Sequence, residues 1–290
     1  MPLVRATTVV TGAAAAIALR DALDDLDPAP VASEVHDHDD GSGRWDVGGL
    51  FDQAPDAAGL ALLARLHGAP DFGLARVENR DWVAQVRAEL TPVAAGRFVV
   101  YGSHDRAAIP ANRIGLEIEA AQAFGTGHHA TTQGCLLALE GLVRRGLVAR
   151  RVADVGTGTG VLAMAAASVW PVRAIASDID PLATATAREN VAANGFGGQI
   201  RCLTAAGFRH PQLAADGPYD LVFANILAGP LRALAPAMAR HQGRGAIAIL
   251  SGILARQAAG VVSVYRGWGY RPLRTVRLGE WTTLVLLRAE

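Results

Sequence analysis

One junction constrains this chain more than any other. The apolar run Val152-Ala153-Asp154-Val155 is followed at once by Gly156-Thr157-Gly158-Thr159-Gly160, and a helical apolar stretch begins at Val161. Three glycines in five residues permit a tight turn and let a ligand approach the backbone, while the helix that follows offers unpaired N–H groups at its start. A purely structural strand-to-helix turn has the same look, so the surroundings decide. Asp178 closes the next apolar run, 22 residues after Gly156, where an ionised carboxylate can accept hydrogen bonds from both hydroxyls of a ribose. Asp180, directly before Pro181, stands instead where a helix cap belongs. A pyrophosphate-binding turn prefers G-x-G-x-x-G, and here the third glycine comes one residue early. Because a nicotinamide enzyme also uses an acidic group at this place, Asp178 alone does not separate the two kinds of cofactor.

Around that junction the chain alternates. Residues 132–143 read as a helix, 151–155 as a strand, 160–168 as a helix, 174–178 as a strand, and 181–194 as a helix closed by Gly195. Strands at 199–203, 220–224, 245–251 and 281–287 follow, with helices at 231–240 and 254–266. This rhythm predicts an α/β, Rossmann-like, doubly wound parallel sheet whose ligands lie at the carboxyl ends of its strands. Residues 1–101 have another rhythm: strand 3–10, helix 12–25, strand 31–36, strand 45–51, helix 56–67, strand 72–78. Two such rounds predict a small α+β, ferredoxin-like domain. A helix over 81–90 and a strand over 97–101 end it, and residues 102–118, rich in Gly, Ser, Pro and Asn, read as a linker to a second domain, 119–290.

Charge supports two domains. The chain carries 27 arginines, no lysine, and 27 carboxylates. Residues 1–110 hold 9 arginines against 16 acidic residues and the rest hold 18 against 11, so the halves are −7 and +7. No apolar run approaches the roughly 18 residues of a membrane span. Arg5 and the small residues after it imitate a signal peptide, but the strand and helix they form run on into Asp24, Asp25 and Asp27. Two cysteines, Cys135 and Cys202, cannot make a disulfide framework, which points to a reducing cytoplasm.

Two further segments carry chemistry. Asn225-Ile226-Leu227-Ala228-Gly229-Pro230-Leu231 follows a strand and resembles, in position, the N-P-P-[YF]-type motif of methyltransferases that act on nitrogen, with Ile226 and Leu227 in place of the prolines. An Asn amide oxygen there can accept a hydrogen bond from an amine and aim its lone pair; a loop asparagine in a turn is the alternative. Upstream, Ala123-Phe124-Gly125-Thr126-Gly127-His128-His129-Ala130-Thr131-Thr132 runs into a helix that Thr131 or Thr132 could cap. The His128–His129 pair lacks further ligands nearby, and His36 and His38 fare no better, so no metal site is expected.

The glycine turn resembles the D-x-G-x-G-x-G loop of class I methyltransferases, which bind S-adenosylmethionine. The A-F-G-T-G-x-H-x-T-T segment, the Asp154 turn, N-I-L-A-G-P-L, Ser251-Gly252-Ile253-Leu254 and Glu280-Trp281 occur in an order that resembles the ribosomal protein L11 methyltransferase family over essentially the whole chain, including the Trp82 segment that leads out of the first domain. The resemblance implies S-adenosylmethionine-dependent methylation of lysine ε-amines and of the N-terminal α-amine of L11, by a cytoplasmic monomer that recognises its substrate through the first domain. Matched position by position, it implies cofactor contacts at Thr132, Gly156, Asp178 and Asn225, joined by Gly158, Phe124 and Thr126, with Asn225 the catalytic residue. The chain departs from the family at Glu119-Ala120-Ala121-Gln122, where D-P-G-L is usual, at His128-His129-Ala130 for T-H-P, and at Thr157 for a cysteine. Thr204-Ala205-Ala206 also lacks the acidic group that many class I enzymes offer to adenine.

An acidic first domain suits a basic protein partner and leaves no direct binding of nucleic acid to be expected. A class I methyltransferase of another protein, RNA, DNA or a small molecule fits the same cofactor motifs, and a non-catalytic cofactor-binding module is a further alternative. A nicotinamide dehydrogenase is disfavoured by the glycine spacing.

Overall fold

The computed structural model describes residues 3–24, 26–30, 32–38, 42–51, 53–77, 92–118 and 129–289. The chain divides into two compact units, residues 1–89 and 90–290.

The first unit runs β1 (Leu3–Thr11), α1 (Ala13–Asp24), β2 (Ala32–Asp37), β3 (Arg44–Phe51), α2 (Ala57–Leu66) and β4 (Gly73–Val77). Its sheet has the order β2-β3-β1-β4, with every neighbouring pair antiparallel, which is the predicted ferredoxin-like arrangement. Period-two alternation explains the strand: Ala6, Thr8 and Val10 of β1 are buried while Arg5 and Thr7 are exposed. Helix α1 answers with Ala16, Leu19 and Leu23 on one stripe, and Asp56 caps α2 by accepting the Ala58 N–H at 3.0 Å. Burying each such leucine is worth about 1.5–3 kcal/mol, so Leu19→Asp is the single change most damaging to this core.

The second unit opens with a three-stranded sheet of β5 (Val93–Ala95), β6 (Phe98–Tyr101) and β7 (Ile114–Glu117), in which β6 and β7 run parallel around a 3₁₀ turn at Ser103–Ala108. The strand over 97–101, read from sequence as the end of the first domain, and the linker residues 102–118 therefore fold with the second unit, while the helix expected over 81–90 lies outside the described residues. Phe98, Val100 and Leu116 enter its core. Arg97 Nε donates to the buried carboxylate of Glu140 at 2.6 Å, and the Asn194 amide exchanges hydrogen bonds with the Glu117 backbone at 2.7 and 2.9 Å. Arg106 grips Glu117 through two hydrogen bonds, and these hold its carboxyl below the usual range.

Then follow α3 (His129–Arg144), β8 (Arg151–Val155), α4 (Val161–Val169), β9 (Arg173–Asp178), α5 (Pro181–Ala193), β10 (Ile200–Thr204), α6 (Pro211–Asp216), β11 (Tyr219–Asn225), α7 (Ala228–His241), β12 (Gln242–Leu254), α8 (Ala255–Arg266), β13 (Tyr270–Leu278) and β14 (Trp281–Arg288). They build a seven-stranded sheet of order β10-β9-β8-β11-β12-β14-β13. Six strands run in one direction, β13 among them, and β14 runs antiparallel to both of its neighbours. The central strands are apolar because both faces are covered: Leu221 and Phe223 of β11 join one core, with residues of α3 and α4, while Val222 and Ala224 join the other, with residues of α7 and α8. The chain leaves β8 in one direction across the sheet and returns through β11 on its other side. That reversal makes the carboxyl ends of β8 and β11 the switch point where a ligand crevice belongs.

Candidate active site

The glycine turn leaves β8 at this switch point. Gly156, Gly158 and Gly160 all take positive φ (75°, 54° and 82°), which residues with a Cβ rarely adopt. The Gly156 and Thr157 N–H groups donate to the Ser177 carbonyl at 2.8 and 3.0 Å, which ties the turn to β9. Beneath it Asp154 is buried, its Oδ2 accepting from the Thr157 hydroxyl at 2.6 Å and from the Ala163 N–H at 3.2 Å. Its Oδ1 has no hydrogen-bond partner among the described residues. Burial pushes this carboxyl up to about 7, with the charge of Asp178 adding to the rise and the two hydrogen bonds opposing it.

Asp178 and Asp180 divide as the sequence suggests. Asp180 caps α5 by accepting the Leu182 N–H at 2.9 Å. Asp178, at the end of β9, faces the glycine turn, its Oδ2 accepting the Gly158 N–H at 2.9 Å and its Oδ1 the Asp180 N–H at 3.1 Å. Each oxygen keeps acceptor capacity for another donor. A Cβ added to Gly158 would meet no described residue within 4 Å, so among the described residues nothing covers the backbone of this glycine.

Across the switch point, Asn225 ends β11 and pairs with Ser251 of β12. Its Nδ2 donates to Thr132 Oγ1 at 3.4 Å, and its Oδ1 is buried without a hydrogen-bond partner among the described residues. The threonines are not caps, because α3 begins at His129 and both lie inside its first turn. Ser251 Oγ donates to the Thr131 carbonyl at 3.3 Å and shares a 2.7 Å hydrogen bond with Thr283, which fixes α3 to the strand ends. Cys135, beside this cluster, is no nucleophile: burial pushes its thiol up to about 12.

Ile226 locks the two loops together. A Cβ on Gly156 would overlap the Ile226 side chain, and a Cβ on Gly252 would fall 2.6–2.9 Å from the Ile226 backbone. The next residue, Leu227, is left 69% exposed at the mouth. The fold thus brings together Gly156, Gly158, Asp178, Thr132 and Asn225 at the carboxyl ends of the strands. Phe124 and Thr126 lie outside the described residues. Sequence reasoning did not anticipate Thr283 or the lock on Ile226, since both depend on contacts between distant strands; Ser251-Gly252 was the one local signal.

A seven-stranded sheet of this order, with a glycine turn after its first parallel strand and an acidic residue after the next, defines a class I methyltransferase fold. The family model described as ribosomal protein L11 methyltransferase (PrmA) matches residues 8–289. The chain is 45% identical over 289 residues to the ribosomal protein L11 methyltransferase of Rhodopseudomonas palustris (strain BisB5), covering 98% of this chain and 97% of that one. It is 49% identical over 248 residues to that of Bradyrhizobium diazoefficiens, covering 84% of each. Among solved structures, the ribosomal protein L11 methylase of Lactobacillus delbrueckii subsp. bulgaricus superposes with a TM-score of 0.61 at 27% identity, over 69% of this chain and 99% of that one. The chain belongs to the ribosomal protein L11 methyltransferase family.

Proposed function

We propose that this chain methylates ribosomal protein L11, using S-adenosylmethionine as methyl donor and lysine ε-amines and the N-terminal α-amine as acceptors. The observation that carries the reading is the Asn225 Oδ1, a buried acceptor without a partner among the described residues, across the switch point from Gly158, whose backbone no described residue covers. Bound there, S-adenosylmethionine supplies an electrophilic methyl group on a sulfonium. The residues present fit it: Asp178 has acceptor capacity for the ribose hydroxyls, Gly156 and Gly158 admit the cofactor to the backbone, and Phe124, Thr126 and Thr132 complete the proposed contacts.

The acceptor nitrogen must be neutral and in line, whereas a free lysine titrates near ~10.4. Removing the amine from water favours its neutral form. Asn225 Oδ1 accepts an N–H of the amine and turns its lone pair toward the methyl group. The proton passes to water. Asp154 is not assigned as the base, because it is buried beneath the turn, where its Oδ2 accepts from Thr157 and Ala163.

The first unit holds 15 carboxylates against 7 arginines, a field that supports recruitment of a basic protein by raising its encounter rate. The modification takes place in the cytoplasm on this reading; no helix among the described residues is long and apolar enough to cross a membrane. Incubation with labelled S-adenosylmethionine and free L11, followed by mass spectrometric mapping, tests it. Label on lysines and the amino terminus is expected. Label on RNA alone, or binding without transfer, defeats it.

A further inference from the structure

The parallel strands of the seven-stranded sheet all start at the edge opposite the glycine turn, and their crossover helices end there. Arginines of the second unit gather on that amino edge. β8 opens on Arg151 and β9 on Arg173, Arg244 stands near the start of β12 and Arg271 near the start of β13, and all four are exposed. The exposed Arg240 and Arg266, in the last turns of α7 and α8, have a local explanation, since a helix dipole favours cations at its C-terminus by about 0.3–1 kcal/mol. Of the strand arginines, Arg151 donates to the Gly217 carbonyl at 3.1 Å, whereas Arg173, Arg244 and Arg271 have no such explanation. None of the four makes an ion pair among the described residues. The edge also carries Asp216 and Asp220, and Asp220 is committed to the backbone N–H groups of Arg150 and Arg151 at 2.8 and 2.9 Å.

An aromatic side chain stands at one end of this row. Trp268, in the turn between α8 and β13, is 43% exposed, and its carbonyl accepts a hydrogen bond from Arg288. The Arg288 guanidinium lies 5.4 Å from the centre of the Tyr270 ring. We propose that the amino edge of this sheet is a binding surface for single-stranded RNA. From β9 to β13 the edge spans five strand spacings, roughly 24 Å, enough for a run of backbone phosphates. Guanidinium forks match phosphate oxygens, and because every cation is arginine the attraction does not titrate near neutral pH. An exposed indole beside guanidiniums offers a stacking face for an unpaired base. RNA held here leaves the carboxyl edge, with Gly158 and Asn225, open. No local basic run announces the surface, because residues 151 to 288 contribute to it and only the topology gathers them; the acidity of the first domain, which led nucleic acid to be set aside, does not bear on it.

The test is fluorescence anisotropy of the full-length protein against a labelled single-stranded RNA of about 20 nucleotides, titrated at low and high salt. Binding that weakens steeply with salt is expected. The combined variant Arg173→Glu, Arg244→Glu, Arg271→Glu should lose about tenfold or more in affinity, and Trp268→Ala about fivefold or more. Both should keep wild-type melting temperature and S-adenosylmethionine binding, and the matched reversal Arg20→Glu, Arg65→Glu, Arg76→Glu on the first unit should leave RNA binding within about twofold. Absence of binding at low salt overturns the proposal, as does equal loss in the matched control. Polyglutamate or phosphatidylglycerol vesicles binding as tightly as RNA, with Trp268→Ala neutral, also overturns it.

Discussion

At the carboxyl ends of β8, β9 and β11 the structure fixes almost every atom: positive-φ glycines, a carboxylate shared between two N–H groups, an asparagine held by a threonine, and an isoleucine wedged against two bare backbones. At the amino ends of β8 and β9, long arginine side chains stand in solvent. The first edge works by placement, where an ångström decides a rate. The second works by a field, to which many arrangements of the same charges are equivalent. Identical β-strands carry both, so tolerance to substitution should differ sharply between the two ends of one sheet.

The largest effect is expected from Gly252→Val. Its new side chain collides with the Ile226 backbone at a φ of +79°, and displacing Asn225 by about an ångström should cut single-turnover methyl transfer by about 10²-fold or more. Asn225→Ala comes next, with a loss of methyl transfer of about 10²-fold and cofactor affinity retained; an unchanged rate would falsify the role given to Asn225. Asp178→Ala should act on binding, weakening S-adenosylmethionine by about 10- to 100-fold in calorimetry, the scale of hydrogen bonds to a charged group.

A smaller effect tests burial at the same edge. Asp154 binds its proton more tightly folded than unfolded, so its contribution to stability is present below about pH 4 and is lost as pH rises through about 7. Denaturation of the wild type should therefore show stability falling over that window relative to Asp154→Asn, and parallel pH profiles would remove the contrast. The smallest effect belongs to the other edge: Arg173→Glu with Arg244→Glu should leave L11 methylation within about twofold, as expected of exposed residues remote from the chemistry.

Much of this architecture was legible where a single physical signal governed a segment. The Asp180-Pro181 start and Gly195 end of α5 are local chemistry, and period-two burial in β1 reflects a sheet covered on one face. β13 escaped because an exposed edge strand carrying Pro272 and three arginines has no hydrophobic pattern to betray it. The strand at Ile114–Glu117 escaped for another reason: its pairing with β6 is a tertiary choice imposed by the core that Leu116 enters. In the site, Gly156, Gly158 and Asp178 stood out by their place between elements. Thr132 and Asn225 are 93 residues apart, and no periodicity links them; family resemblance named them, and the fold brings their side chains together.

The wedge formed by Ile226 has a consequence for engineering. Positions 156 and 226 behave as a coupled pair, because the obstacle to a Cβ at Gly156 is the Ile226 side chain, whereas at Gly252 it is the Ile226 backbone, which no change of side chain at 226 removes. Both glycines also hold a positive φ, so each is best kept. Altered acceptor choice should instead be sought by varying 226 and 227 with both glycines fixed, with selection on folded, cofactor-binding protein before selection on activity.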